Sequence, residues 1–131
     1  MPAAGVDTNV FLRIFIQDDG PQHRAAVALV GSLGQVFVGT VVLVETVWAL
    51  RKLFKFPRAK LVHFLDTVLA TDAFILENRE VVEAARFGFS SGHGDFADHI
   101  ILESARRNGA DQTYTFDLDF SRVPGAVRLK P

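Results

Sequence analysis

The sequence contains no cysteine among its 131 residues, which excludes disulfide bonds, thiolate zinc sites and cysteine nucleophiles. Its formal net charge is only −1, so the field of the whole molecule attracts no strongly charged partner. No apolar run approaches the ~18 uncharged residues of a membrane-spanning helix. The first residues also lack the basic stretch of a secretion signal. We therefore expect a cytoplasmic protein that does not enter a membrane.

Apolar residues are abundant, at 49% of the chain, and 12 of the residues are phenylalanine. This composition excludes a disordered chain, which needs low hydrophobicity and high net charge. The mean hydropathy of +0.21 predicts a rich core, an apolar face covered by a partner, or both. The length suits one domain covering residues 1–131.

Short β-prone runs alternate with segments of helical period, which predicts an α/β fold with a parallel sheet. Strands are predicted at 3–6, 36–38, 73–76, 113–116 and 126–129. Helices are predicted at 8–17, 21–33, 40–54, 57–70, 80–89 and 95–108. Thr40 is expected to cap the third of these helices.

Two aspartates follow predicted strands: Asp7 follows the first and Asp117 a later one. Ligand sites in open parallel sheets form beyond the carboxyl ends of strands, so these carboxylates can lie close together. Aspartate is also typical of helix caps and turns, and taken singly each residue is open to that structural interpretation.

Glu45 lies in the most apolar stretch of the chain, and four residues to either side stand Val41 and Ala49. A carboxylate buried on such a helix costs several kcal/mol unless it is paired, protonated or bound to a metal. Because no basic residue stands at helical spacing on either side, the pattern favours a functional role for Glu45.

Asp95 and Asp98 open a predicted helix and share one face. Asp95 is typical of an N-cap and Asp98 of a first turn, which the helix dipole favours. Converging carboxylates raise one another's pKa unless a cation neutralises them. Hard divalent ions accept such oxygen ligands together with substrate phosphates. The acids therefore indicate phosphodiester hydrolysis assisted by a metal ion.

Four motifs in order make the sequence resemble the PIN-domain ribonucleases, and most closely the VapC-type toxins of toxin–antitoxin pairs. They are VDTNV at 6–10, VETVWAL at 44–50, GDFADHII at 94–101 and TFD at 115–117. Phe120 and PGAV at 124–127 follow the last of them, so the resemblance covers nearly the whole chain.

The resemblance implies a three-layer α/β/α sandwich with a central parallel sheet, dependence on Mg²⁺ or Mn²⁺, and cleavage of RNA. Its catalytic, metal-binding acids would be Asp7, Glu45, Asp98 and Asp117. Supporting positions would be Asp95, Thr8, Asn9 and Thr115, where small polar side chains orient carboxylates or waters. It further implies a homodimer and inhibition by a cognate antitoxin. His99 is expected to be a hydrogen-bonded or exposed neighbour of the site, and Asp119 a loop residue.

Two surfaces are predicted for partners. The densest basic stretch supplies candidate RNA contacts at Arg51, Lys52, Lys55 and Arg58. Part of an aromatic set is expected to form a dimer contact and a groove for an antitoxin helix. That set is Phe11, Phe15, Trp48, Phe54 and Phe56.

Three other functions are weaker interpretations. A receiver-type phosphoacceptor domain needs a late lysine, and beyond Lys60 only Lys130 is present. A haloacid-dehalogenase-type phosphatase needs an aspartate where Asn9 stands. A PIN-like binding module without activity would lack one acid, whereas all four positions are filled.

Overall fold

A computed structural model describes Pro2 and residues 4–131, and that part of the chain contains six α-helices and four short strands. The helices are α1 Thr8–Phe15, α2 Gly20–Leu33, α3 Thr40–Lys52, α4 Arg58–Ala70, α5 Arg79–Phe89 and α6 Phe96–Arg107. The strands are β1 Val36–Val38, β2 Phe74–Leu76, β3 Thr113–Thr115 and β4 Ala126–Arg128. A 3-10 turn spans Phe120–Arg122. In the described residues no helix is both long and apolar enough to cross a membrane.

The chain divides into two compact units. The first unit is Met1–Phe56 with Asp66–Asn78, and the second is Pro57–Leu65 with Arg79–Pro131. Helix α4 therefore contributes its beginning to the second unit and its end to the first. The organisation as a single domain over 1–131 stays a prediction.

In the first unit, β1 and β2 pair in parallel, with Val36 opposite Phe74 and Val38 opposite Leu76. The strand predicted at 3–6 is reduced to one isolated parallel bridge between Gly5 and Phe37; its residue Ala3 lies outside the described residues. Glycine adds no side chain to a strand, which explains why pairing here is so short.

Aromatic rings fill the inside of the first unit. Phe11 contacts Phe15 and Phe74 edge-on, at centroid distances of 5.2 and 5.1 Å. Phe11 is completely buried, which removes it from the set of aromatics expected on a partner surface. Phe15 is half-buried against Phe74, at 5.9 Å, so it also serves this core.

In the second unit, β3 and β4 pair in parallel, and α5 packs along α6. Gly88 of α5 makes close packing possible, because a Cβ there would lie 2.5 Å from Nδ1 of the buried His99. Leu102, Phe120 and Val123 form a buried cluster beneath β4 residue Ala126.

Acidic side chains fix several helix starts. Asp7 caps α1 and Asp19 caps α2, each accepting a backbone N–H three residues on. The expected cap of α3 by Thr40 is wrong, because Gly39 is the N-cap residue and makes no side-chain bond. Instead, Oε1 of Glu77, just beyond β2, accepts the Thr40 backbone N–H at 2.9 Å.

Candidate active site

Asp7 lies in the first unit and follows Val6, the residue after the Gly5 bridge. Its Oδ1 accepts the backbone N–H of Val10 at 2.9 Å, which caps α1. Oδ2 accepts no hydrogen bond from the described residues, and the side chain is exposed. The cap thus fixes the carboxylate while leaving one oxygen available to a ligand.

Glu45 belongs to the same unit and is tethered to the start of α1. The Thr8 hydroxyl donates to Glu45 Oε1 at 2.6 Å. This bond links the residue beside Asp7 with Glu45, so the unit fixes these two acids relative to each other. Asp7 and Glu45 are called the first acid pair below.

The expectation that Glu45 is buried is wrong. Leu43, Val47 and Leu50 face inward from α3, whereas Glu45 is exposed. Val41 and Trp48 share its outward face, with 70% and 56% of their surfaces exposed. Because α3 carries apolar residues on both faces, composition alone does not reveal which face is buried.

Asp98 lies in the second unit, in the first turn of α6. Its Oδ2 accepts the backbone N–H of Asp95 at 2.9 Å, as part of a capping box between the two residues. Asp95 is the N-cap, as its position in the sequence predicts. Asp98 is half-buried, and its Oδ1 remains available.

Asp117 follows β3 in the second unit and is held by its own turn. Its backbone N–H donates to the Thr115 hydroxyl at 3.0 Å. Its Oδ1 accepts the backbone N–H of Asp119 at 3.0 Å. Like Asp7 and Asp98, it therefore uses one oxygen for local structure and leaves the other available. Asp98 and Asp117 are called the second acid pair below.

The second acid pair is electrostatically crowded. Burial raises the pKa of Asp98 above its ordinary value of 3.8, although the hydrogen bond from the Asp95 N–H acts in the opposite direction. The negative charges of Asp95 and Asp117 then raise the pKa further. Carboxylates in such surroundings favour either a proton or a cation.

Asp119 is predicted from the sequence to be only a loop residue, but its carboxylate binds two residues of another loop. Its Oδ1 lies 3.0 Å from His93 Nδ1, and its Oδ2 accepts the Gly94 backbone N–H at 2.8 Å. Those bonds lower the pKa of Asp119. The partners lie 25 residues or more away along the chain, so no local pattern predicts the contact.

His99 is fully buried in the second unit, and its Nε2 lies 2.7 Å from the His93 carbonyl oxygen. This matches the expectation of a hydrogen-bonded histidine. Its ring contacts Phe89 and Phe120 at centroid distances of 6.4 and 6.5 Å. We assign His99 to packing and loop placement.

Asn9 does not contact the carboxylates of the described residues as the resemblance implies. Its side-chain amide donates to Oε1 of Gln22 in α2 at 3.3 Å. Asn9 also lines an apolar cavity of about 430 Å³ together with Val10, Ala26 and Leu29. Its contacts therefore stabilise the α1–α2 pair.

The candidate RNA contacts fall into two kinds. Arg51, Lys52 and Lys55 are exposed, and Lys55 adopts a left-handed backbone with φ of 59°, which is uncommon for a residue with a side chain. Arg58 instead uses Nη1 for the carbonyl oxygens of Phe89 and Gly94, at 2.8 and 3.1 Å. Its guanidinium also lies 4.3 Å above the Phe89 ring, so Arg58 serves the second unit's own structure.

The donor chemistry suits a hard divalent ion, although the described residues contain no group of three or more acidic or histidine side chains placed to hold a metal. Mg²⁺ retains several waters and binds through one or two carboxylates plus substrate phosphates, so a complete protein cage is not needed. Each acid pair offers such carboxylates. The available residues therefore fit Mg²⁺ or Mn²⁺.

Parallel strands followed by aspartates, with further acids at helix starts, define an α/β protein with an acidic site. The PIN domain family model matches residues 5–126, which run through both units. The chain therefore belongs to the PIN-domain family, whose members are in general nucleases. The predicted PIN-like α/β fold class is confirmed. Among curated proteins, none matches the chain.

Proposed function

We propose that this PIN domain is an endoribonuclease that hydrolyses RNA phosphodiester bonds with Mg²⁺ or Mn²⁺. The observation that carries the metal dependence is the crowding of Asp98, which is half-buried and whose pKa is raised by that burial and by the charges of Asp95 and Asp117. Holding like charges together costs free energy, and a bound divalent cation would offset that cost.

The proposed metal ligands are the carboxylates of Asp7, Glu45, Asp98 and Asp117. When bound, the ion supplies an activated water and stabilises negative charge on the phosphate. The chain's own part is positioning. Backbone N–H groups hold one oxygen each of Asp7, Asp98 and Asp117, and the Thr8 hydroxyl holds Glu45. Fixed carboxylates lose little freedom when they bind a ligand, which favours catalysis.

Contacts with the RNA would come from local positive charge, because a net charge of −1 gives the whole molecule no long-range attraction for RNA. Arg51, Lys52 and Lys55 are exposed at the end of α3 and beyond it, and can reach phosphate oxygens. Arg58 is left out of this proposal because its guanidinium already binds two backbone carbonyls.

The toxin assignment is a finer part of the proposal. Val41 and Trp48 flank Glu45 on an exposed face of α3, and Leu53 beyond them is 64% exposed. A partner that covers this apolar face would also cover Glu45, which couples binding to inhibition. A cognate antitoxin helix lying in a groove fits this behaviour.

We also propose that the protein forms a homodimer. Light scattering that finds a strict monomer would contradict this.

The test is cleavage of a single-stranded RNA by the purified protein with Mg²⁺ and with EDTA, beside a DNA of matched sequence. We expect RNA cleavage only with the ion. Asp98→Asn should slow it at least about 100-fold, because ligands of a catalytic ion are worth several kcal/mol at about 1.4 kcal/mol per tenfold. Asp111→Asn removes an exposed acid outside the motifs and serves as the control.

Two results would overturn the proposal. Cleavage that persists in EDTA and in Asp98→Asn would show that the acids do not act through a metal. A folded protein that binds RNA but leaves it intact would instead be the inactive PIN-like binding module.

A further inference from the structure

Asp119 is an exposed residue whose carboxylate is nevertheless fully engaged. Oδ1 pairs with His93 Nδ1 at 3.0 Å and Oδ2 accepts the Gly94 N–H at 2.8 Å. Both partners belong to the loop that leads into α6. Since α6 begins at Phe96 with Asp95 as its cap, this loop sets where the first turn of the helix lies.

Gly94 is fixed from its other side as well. Its carbonyl oxygen accepts Arg58 Nη1 at 3.1 Å. Its φ of +73° is a conformation that side chains disfavour, and a Cβ would lie 3.3 Å from His99 Nε2 and 3.5 Å from Phe120. Gly94, the residue before Asp95, is therefore held by Asp119 at its N–H and by Arg58 at its carbonyl oxygen.

Asp119 also binds Asp117, the other acid of the second acid pair. The backbone N–H of Asp119 donates to Asp117 Oδ1 at 3.0 Å. The following residue, Phe120, is buried, which anchors the turn in the core of the second unit. Asp119 thus bonds the Asp117 carboxylate through its backbone and the loop before Asp98 through its side chain.

We infer that Asp119, assisted by Arg58, is a positioning residue that sets the spacing of the second acid pair. This inference rests on the proposed function, in which Asp98 and Asp117 are ligands. Asp119 uses both of its own carboxylate oxygens within the protein, so it acts through its neighbours and not as a ligand itself.

The decisive variant is Asp119→Ala, with Asp111→Ala as the matched loss of an exposed aspartate. Groups that orient metal ligands typically contribute 10–100-fold, so kcat for RNA should fall by about that factor while KM changes by less than about twofold. Asp111→Ala should retain the wild-type values. A KM effect without a kcat effect would overturn the inference.

Two measurements do not depend on cleavage. In the metal-free protein, hydrogen exchange at the Gly94 amide should be faster in Asp119→Ala than in Asp111→Ala. The second measurement is an Mn²⁺ titration followed by the broadening of amide resonances. Half-broadening at residues 95–98 should need about tenfold more Mn²⁺ in Asp119→Ala than in the wild type. Wild-type behaviour in the titration would overturn the inference even if exchange changes.

Conservative variants separate positioning from folding. Asp119→Asn keeps an oxygen for the Gly94 N–H and should restore part of the kcat lost in Asp119→Ala. Arg58→Lys keeps the charge but loses the planar guanidinium that lies over the Phe89 ring while its Nη1 binds both carbonyls, and should also lower kcat. Should Asp119→Ala fail to fold, Asp119→Ser, whose single hydroxyl cannot replace both carboxylate oxygens, takes its place; wild-type kcat and wild-type Mn²⁺ broadening in Asp119→Ser would contradict the inference.

Failure of the proposed function is a separate result. If the wild type cleaves no RNA, that proposal falls and the Mn²⁺ titration alone judges Asp119. If the wild type cleaves RNA and Asp119→Ala does so equally well with unchanged Mn²⁺ broadening, the nuclease stands and the positioning inference falls.

Discussion

The two units fix their acid-bearing helices in the same way but surround the acids differently. In the first, Glu77 beyond β2 accepts the N–H at the start of α3, which carries Glu45. In the second, Asp119 beyond β3 accepts the N–H of Gly94, just before α6 and Asp98. Glu45 is exposed and tethered by a hydroxyl, whereas Asp98 is half-buried among like charges.

Glu45 and Asp98 therefore illustrate two ways in which a protein can prepare a carboxylate to bind a cation. A hydroxyl tether fixes direction without raising the cost of ionisation. Burial beside other carboxylates raises the free-energy cost of ionisation, so a bound cation stabilises the ionised carboxylate more there. The first acid pair should therefore depend on the Thr8 bond, and the second on its electrostatic surroundings.

The largest expected effect is on activity, and it tests whether both pairs matter. Asp7→Asn and Asp117→Asn should each lower kcat for RNA at least about 100-fold, since each would remove a charged ligand of the proposed ion. Both variants keep an oxygen for the backbone N–H that they now bind, so the fold should survive. Single-turnover cleavage measures the loss. A large effect at Asp117 with none at Asp7 would restrict the chemistry to the second unit.

A second experiment addresses the tether. Thr8→Val removes the hydroxyl bonded to Glu45 and should reduce activity or metal affinity about 10–100-fold, the usual range for groups that orient ligands. Thr8→Ser keeps the hydroxyl and is the control. Equal activity in the two variants would show that Glu45 needs no tether, and the contrast between the units would lose half its basis.

Packing differs between the units at two glycines in the last turns of helices. Gly88→Ala should lower the free energy of unfolding by about 1–3 kcal/mol, the usual range for overpacking, because its Cβ would meet the buried His99 ring at 2.5 Å. Gly31→Ala has nothing within 4 Å and should instead stabilise by about 0.5–1 kcal/mol through helix propensity. Urea unfolding compares them, and a Gly88→Ala variant as stable as the wild type would contradict the packing given for His99.

The smallest effect is a pH dependence of stability in the metal-free protein. The pKa of Asp98 is raised, so the folded state binds its proton more tightly than the unfolded state does. The resulting stabilisation is full below the ordinary pKa of 3.8 and is lost as the pH rises through the folded pKa. Asp98→Asn should therefore gain stability over the wild type toward neutral pH, by less than about 1 kcal/mol because solvent still reaches the carboxyl.

Urea unfolding of Asp98→Asn and the wild type across this pH range measures the gain, with Asp111→Asn as the control for loss of an exposed carboxylate. A stability difference that shrinks toward neutral pH would show that Asp98 is not crowded by negative charge.

Much of the local structure is readable from the sequence. Glycine, proline and capping residues mark the helix limits, so that the predicted helices 57–70 and 80–89 differ from α4 and α5 by one residue at the start. Asp95 as an N-cap follows from its place before an apolar periodic segment. These features depend on neighbours within one helical turn.

Features that depend on distant neighbours were not predicted. The apolar neighbours of Glu45 predict burial, although α3 exposes Val41 and Trp48 beside it. Thr40 has the composition of a cap, yet its own backbone N–H is bound by Glu77, 37 residues away. The sequence around Asp119 predicts only a loop residue, because its partners, His93 and Gly94, lie in another loop. No local pattern encodes such contacts.

Crystals soaked in Mn²⁺ and measured for anomalous scattering test most directly whether these acids bind the metal ion proposed to support RNA cleavage. We predict anomalous density for manganese held, directly or through water, by the carboxylates of Asp7, Glu45, Asp98 and Asp117. Manganese bound only elsewhere, or no density at any of these four carboxylates at saturating Mn²⁺, would contradict the account.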